Sequence, residues 1–313
     1  MGAIMAETIM RAIDLFSGFG GSSTGAQLAG ADVVWAGNHW REAVDAHSIN
    51  HPGALHVCQD LHQADWSAVP AHDLLMASPC CQGHSKARGK KSGNPQHDAS
   101  RSTAWAVVSA LEFHRPPLAV VENVPEFLDW ELYPAWAAAL NALGYQLAPH
   151  ILDCADLGVP QNRIRMFIVC TKSKSPLFLN LPKQEHIAAN TFIDINMGTW
   201  SMVNKPGRAV ATLERVSNGR KQFGDQFLIS YYGSAKNGRS LERPIGTITT
   251  RDRWAIINGD RMRMISVEEA MSAMSFPKDY YRPNNKKLAM HMAGNAVPPQ
   301  AMSTIITALK RAV

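Results

Sequence analysis

The apolar segment Ala12-Ile13-Asp14-Leu15-Phe16 runs directly into Ser17-Gly18-Phe19-Gly20-Gly21, and this join constrains the fold more than any other feature of the chain. The segment reads as a buried strand. The crowded glycines predict a tight turn, and Ser22 or Ser23 stands where the cap of a following helix is expected. The same alternation repeats down the chain. Residues 32–36 read as a strand and 41–49 as a helix, then 73–77 as a strand and 102–113 as a helix. Residues 118–121 read as a β-branched strand leading to Glu122, and 136–143 as a helix stopped by Gly144. Residues 145–152 and 166–170 read as a late pair of strands. Strands alternating with helices imply an α/β fold with a doubly wound, mostly parallel sheet. Such sheets bind ligands at the carboxyl ends of their strands. Residues 16–20, Asn38, Cys81 and Glu122 all fall just past strand ends.

The chain has 313 residues, enough for one large domain and a smaller one. Composition shifts after Cys170: residues 171–180 are rich in Lys, Ser and Pro, and short irregular elements follow. The expected division is 1–170 plus 290–313 against a smaller domain at 171–289. The chain closes with Gly294-Asn295-Ala296-Val297-Pro298-Pro299 and a helix from about residue 300 to 311.

A formal net charge of +5 and an isoelectric point near 9.0 suit a polyanionic partner. Lys86, Arg88, Lys90, Lys91 and Arg101 crowd the stretch after Cys81, opposed only by Asp98. Gly83, Gly89, Gly93 and Pro95 make that stretch a loop. Beside a nucleophile, such a loop reads as a clamp on phosphates. No apolar run approaches the ~20 residues of a membrane span, and residues 1–11 lack the pattern of a secretion signal. The cysteines, Cys58, Cys80, Cys81, Cys154 and Cys170, are odd in number and unpatterned, which points to a reducing compartment, the cytoplasm. No metal is expected: there is no C-x-x-C, and His47 with His51 lacks two further ligands, so both read as helix-face or loop residues.

Reactive groups arrive in a fixed order: Ser78-Pro79-Cys80-Cys81-Gln82-Gly83-His84-Ser85, then Val121-Glu122-Asn123-Val124, then Gln161-Asn162-Arg163-Ile164-Arg165. A thiol is a stronger nucleophile than a hydroxyl, and nearby arginines or a helix start lower its pKa. Adjacent residues on an extended segment point opposite ways, so Cys80 is expected to face away from Cys81. By alternation Arg163 and Arg165 share one face of a strand.

With the glycine turn, these motifs resemble the DNA (cytosine-5) methyltransferase family over nearly the whole chain, the smaller domain excepted. The resemblance implies an S-adenosylmethionine-dependent, Rossmann-like methyltransferase fold with residues 171–289 as a target-recognition domain. It implies that Cys81 adds to cytosine C6 while a protonated Glu122 donates to N3. Of Arg163 and Arg165, one reaches the cytosine O2 and the other the phosphate or Glu122; Asn123 holds local loops. It implies cofactor contacts from Phe16, Ser17, Gly18 and Gly20, with Phe16 lying against the adenine. Asn38 stands where the family usually has a ribose-binding glutamate, His39 where an aromatic often covers the adenine, and Asp60 where the adenine amino group is met. Pro79, Asn295 and Val297 complete that pocket. Gln82, Ser85, Lys86, Arg88, Arg243, Thr249 and Thr250 are the implied DNA contacts. Further recognition candidates are Arg208, Arg215, Arg220, Lys221, Tyr231, Tyr232, Lys236, Arg239, Arg251 and Arg253, most of them phosphate contacts. The chain departs from the family at Cys80, usually proline, and at Asn38, whose amide binds a hydroxyl less strongly than a carboxylate does.

The implied reaction yields 5-methylcytosine and S-adenosylhomocysteine in a specific sequence of double-stranded DNA. A cognate restriction endonuclease would be a separate chain, and a monomer is the default expectation. Two alternatives stay open at this point: a tRNA cytosine-5 methyltransferase of the same fold, and a catalytically weak DNA-binding relative. A nicotinamide oxidoreductase does not fit, because Ser23 replaces the third glycine and Asn38 the ribose-binding acid.

Overall fold

The structure, a computed structural model, describes residues 9–80, 103–232 and 235–313. Cys81, Gln82, Ser85, Lys86, Arg88 and the rest of the basic segment lie outside the described residues. The chain divides into two compact units. One comprises the described part of Met1–Asp153 with Ile164–Leu181 and Pro299–Val313; the other comprises Cys154–Arg163 and Pro182–Pro298.

The first unit is built on a seven-stranded sheet. Its strands are β1 (Arg11–Leu15), β2 (Asp32–Asn38), β3 (Leu55–Cys58), β4 (Leu74–Ala77), β5 (Leu118–Asn123), β6 (Gln146–Asp153) and β7 (Ile164–Thr171), in the order β3-β2-β1-β4-β5-β7-β6. The first five in that order run parallel, and β7 is antiparallel to both neighbours. Strands β4 and β5 are buried along their whole length, as parallel strands covered on both faces must be. The helices are α1 (Gly21–Leu28), α2 (Arg41–Asn50), α3 (Ala104–His114) and α4 (Tyr133–Ala142). The short edge strand β3 was not expected: four residues of mixed exposure carry no period.

Register brings the functional segments to one end of this sheet. Leu15 pairs with Gly37 and with Ala77, and Ala77 pairs with Val121. Phe16, Asn38, Ser78 and Glu122, each one residue further on, therefore stand level at the carboxyl edge. Asn38 and Glu122 are still within their strands rather than past them.

The expected serine cap of α1 is corrected. The cap is Gly20, at φ 92°, and no side chain caps the helix. Ser22 and Ser23 lie inside the helix, buried, and the Ser23 hydroxyl instead donates to Asp14. The closing helix, Pro299–Ala312, packs along α1 at Gly25, where a Cβ would meet the Pro299 carbonyl oxygen at 2.5 Å.

The second unit holds a five-stranded antiparallel sheet ordered β10-β9-β11-β12-β8, from β8 (Ser201–Met202), β9 (Gln226–Ser230), β10 (Gly238–Arg239), β11 (Trp254–Asn258) and β12 (Arg261–Met264). Helix α5 (Val210–Phe223) covers it through Val216, packed with Phe227, Ile229, Ala255 and Ile257. Helices α6 (Val267–Ala273) and α7 (Lys286–Asn295) follow. Glu269 closes a capping box with Ser266 and forms a buried ion pair with Arg263 at 2.6 Å. No helix among the described residues is long and apolar enough to cross a membrane.

Candidate active site

The glycine turn forms the floor of the first unit's site. The Ser17 amide donates to the Gly37 carbonyl at 3.1 Å, which ties the turn to β2, and the Gly20 amide donates to the Ser17 carbonyl at 2.9 Å. Gly18 has φ 51°, a conformation that suits glycine. Phe16 has φ 60°, which is uncommon for a side chain of its size and marks strain held by its surroundings. Its ring is partly buried against the core.

Around the turn stand the other implied cofactor residues of this unit. Asn38 is buried at the end of β2, and its side-chain oxygen accepts from the Trp40 amide at 2.9 Å. That leaves its amide nitrogen as the group that can meet a ligand hydroxyl. His39 is exposed, and its carbonyl accepts a weak hydrogen bond from the Cys58 thiol. Asp60 is exposed and caps the short turn Leu61–Gln63 by accepting from the His62 amide at 3.0 Å. Pro79 is buried, and its carbonyl accepts from the Asn123 side chain at 3.2 Å. Asn123 also accepts from the Val124 amide at 2.8 Å, so it braces two loops at once. The Cys80 amide donates to the Thr103 hydroxyl at 3.1 Å, which joins the two ends that flank the undescribed segment.

Glu122 and Arg165 meet in the same unit, Oε1 to Nε at 3.2 Å, with side chains 11% and 16% exposed. A strand-end carboxylate and guanidinium in this partly dry setting can grip a heterocycle that offers a ring nitrogen and a carbonyl oxygen. Arg165 also donates to the Ile164 carbonyl at 2.7 Å.

Arg163 corrects the expectation of a shared strand face. Strand β7 begins at Ile164, and Arg163 belongs to the second unit, 2% exposed. Its guanidinium donates to the carbonyls of Ile248 at 2.9 Å, Gly294 at 3.0 Å and Ala296 at 3.1 Å. The neighbouring Gln161 accepts from the Ile248 amide at 2.7 Å. The Gln161-Asn162-Arg163 segment thus clamps residues 245–249 and 294–296 together. These two stretches press backbone to backbone: a Cβ on Gly294 would meet the Thr249 carbonyl carbon at 2.2 Å. Contacts spanning 85 to 133 residues carry no local signature. Asn295 is exposed and Val297 buried at the end of this stretch. Arg243 is exposed, and Thr249 and Thr250 are half-buried.

Several recognition candidates are engaged within the second unit. Arg208, Arg215, Arg220, Arg239 and Arg253 each donate to a backbone carbonyl. Lys221, Lys236, Arg243 and Arg251 are exposed cations. Sequence reasoning also passed over Asp14, fully buried beneath the glycine turn, where burial pushes its carboxyl up to about 7. His47 lies on α2 and His51 directly after it, and both are buried. No group of three or more metal-ligating side chains is placed to hold a metal among the described residues.

The C-5 cytosine-specific DNA methylase family profile matches residues 10–206 and 195–311. The chain is 26% identical to the type II methyltransferase M.HgiDI of Herpetosiphon aurantiacus over 306 residues, covering 96% of this chain and 94% of that one. It is 26% identical to M1.HphI of Haemophilus parahaemolyticus over 95% of this chain and 86% of that one. A solved Spodoptera frugiperda DNMT2 variant superposes with a TM-score of 0.70 at 17% identity, covering 96% of this chain and 99% of the other, a likeness of fold. With the fold and family profile agreeing over nearly its whole length, the chain belongs to the C-5 cytosine-specific DNA methylases and is a DNA (cytosine-5) methyltransferase.

Proposed function

We propose that this enzyme methylates carbon 5 of a cytosine swung out of duplex DNA, with Cys81 as nucleophile, Glu122 as acid and S-adenosylmethionine as donor. The observation that supports this most is the Glu122–Arg165 pair at the carboxyl edge of β5, level with the segment that leads to Cys81. The Cys81 thiolate adds to C6 while Glu122 gives a proton to N3. The ring electrons then reside at C5, which would take up the methyl group from bound S-adenosylmethionine, releasing S-adenosylhomocysteine. Loss of the C5 proton to water expels Cys81, and N3 returns its proton to Glu122. Arg165 holds Glu122 and the cytosine O2 in one plane, and Arg163 holds the late motif in place. Bound at the turn, S-adenosylmethionine supplies a methyl group activated by its sulfonium.

The residues present fit that donor. Phe16 offers a ring face, Asn38 an amide for the ribose, Asp60 an exposed carboxylate for the adenine amino group, and Gly18 an open backbone. His39, Ser17, Gly20 and Pro79 complete the set within this unit. Because the Asn38 side chain is neutral and its oxygen already accepts from Trp40, the ribose meets no charge-assisted partner there. Asn38→Glu is expected to tighten the S-adenosylmethionine Kd about tenfold in calorimetry; an unchanged Kd contradicts the ribose assignment.

Residues 171–289 are read as the target-recognition domain. Arg243, Thr249 and Thr250, with Gln82, Ser85, Lys86 and Arg88 of the basic segment, contact DNA. The enzyme works as a monomer in the cytoplasm of a bacterium or phage-infected cell, either alone or beside a cognate endonuclease that is a separate chain. Transfer of a labelled methyl group to mixed-sequence duplex DNA, and not to tRNA, is the expected result. Labelling of tRNA alone would move the substrate to RNA.

A further inference from the structure

Beneath the glycine turn runs a set of buried polar side chains that the proposed chemistry leaves unused. Helix α2 carries His47, 0% exposed, and its following residue His51 is 2% exposed. The His47 Nε2 lies 3.0 Å from the Ser23 hydroxyl, which donates to Asp14 Oδ2 at 2.7 Å. Ser23 has one hydroxyl proton and gives it to Asp14, so it accepts from His47. His47 is then an acceptor at Nδ1, 2.8 Å from Nε2 of His56 on β3. In parallel, His51 Nε2 lies 3.2 Å from the Thr24 hydroxyl, which donates to the Gly20 carbonyl at 2.8 Å. The His51 Nδ1 donates to the Gln27 side-chain oxygen at 3.0 Å, so in the neutral ring Nε2 is an acceptor that competes with the Gly20 carbonyl for the Thr24 hydroxyl proton.

Both chains end on the frame of the turn. Asp14 precedes Phe16 by two residues, and Gly20 is the point where the turn becomes α1. The groups facing one another are Asp14 from β1, Ser23, Thr24 and Gln27 from α1, His47 and His51 from α2, and His56 from β3. Burial, and the other rings of the cluster, hold His47 well below the ordinary histidine range. Burial likewise lowers His51 to about 4 and lowers His56. The imidazoles are therefore neutral near neutral pH, the form in which His47 donates to Ser23 and accepts from His56. An apolar face on α2 would pack against α1 equally well, but it would take one hydrogen-bond partner each from the buried Ser23 and Thr24 hydroxyls.

We infer that His47 and His51 are positioning residues for the cofactor: through Ser23 and Thr24 they fix the glycine turn in the shape that receives S-adenosylmethionine. This rests on reading that turn as the cofactor site. The test compares His47→Leu and His51→Leu with His47→Gln and His51→Gln, which keep a hydrogen-bonding group near Nε2. Thr24→Val, which keeps the side-chain shape and removes the hydroxyl, is the third arm. Calorimetry reads the S-adenosylmethionine Kd, a gel shift the DNA affinity, and steady-state kinetics the cofactor KM against kcat. The leucine and valine variants are expected to weaken cofactor binding about tenfold and raise its KM, with kcat at saturation and DNA affinity within about twofold. The glutamine variants are expected to stay within about threefold of wild type. Should the leucine variants not fold, Thr24→Val decides. Wild-type cofactor affinity in Thr24→Val and in folded leucine variants overturns the inference. So does a fall in kcat and Tm with the cofactor Kd intact. A wild-type enzyme that binds DNA but not S-adenosylmethionine overturns it too, by removing the cofactor reading beneath it.

Discussion

Glu122→Gln is expected to lower kcat by roughly 10²–10⁴, the usual contribution of a positioned general acid, while the S-adenosylmethionine Kd stays near wild type. Glutamine keeps the shape and can still donate a hydrogen bond to N3, but it has no proton to transfer. Its neighbour Arg165 loses an ion partner at 3.2 Å. That loss separates two accounts of the pair. If the pair only braced β5 against β7, the substitution would lower Tm and leave kcat nearly intact, because breaking a buried pair mainly destabilises. If the pair performs the chemistry, kcat falls far more than stability does. Single-turnover kinetics on duplex DNA, beside a thermal melt, decides between them.

The second large effect is structural. Gly25→Ala places a Cβ at 2.5 Å from the Pro299 carbonyl oxygen, 2.7 Å from the Met302 Cβ and 3.0 Å from the Ser303 amide nitrogen. None of these can swing aside, because each belongs to backbone or to a Cβ. Overpacking of this kind costs about 1–3 kcal/mol even where side chains can adjust, so a fall in Tm of about 2–5 °C is expected for a chain of this length. Helix α1 carries the glycine turn on its first residue, so displacing it also weakens cofactor binding. Gly53→Ala is the control. A Cβ there meets nothing within 4 Å, and its Tm should match wild type. Equal melts for the two variants would contradict the packing of α1 on the closing helix.

Much of this was legible in the sequence because each parallel strand is a short apolar run bounded by a turn. Strands β1, β4 and β5 announced themselves in that way, and the residues at their carboxyl ends stand level at one edge. The edge strand β3 was not legible, since Leu55–Cys58 is too short and too unevenly buried to show a period. The serine cap was misread because Gly20 turns the chain with a positive φ and frees Ser23 to reach inward to Asp14. His47 and His51 read as helix-face or loop residues, which they are, but nothing local tells a solvent-facing histidine from one that meets a second helix. Arg163 shows the same limit. Alternation pairs it with Arg165, yet the carbonyls it binds, those of Ile248, Gly294 and Ala296, belong to distant segments. Local pattern located the strand ends, and tertiary contact determined which side chains meet there.

The most direct measurement is a covalent trap. Wild-type enzyme is mixed with S-adenosylmethionine and mixed-sequence duplex DNA carrying 5-fluorocytosine, then resolved on a denaturing gel with peptide mapping. Fluorine cannot leave C5 as a proton does, so the enzyme should remain bonded to C6 through Cys81. The complex should disappear in Cys81→Ser. A complex linked through Cys80, or no complex with any duplex, would contradict the account.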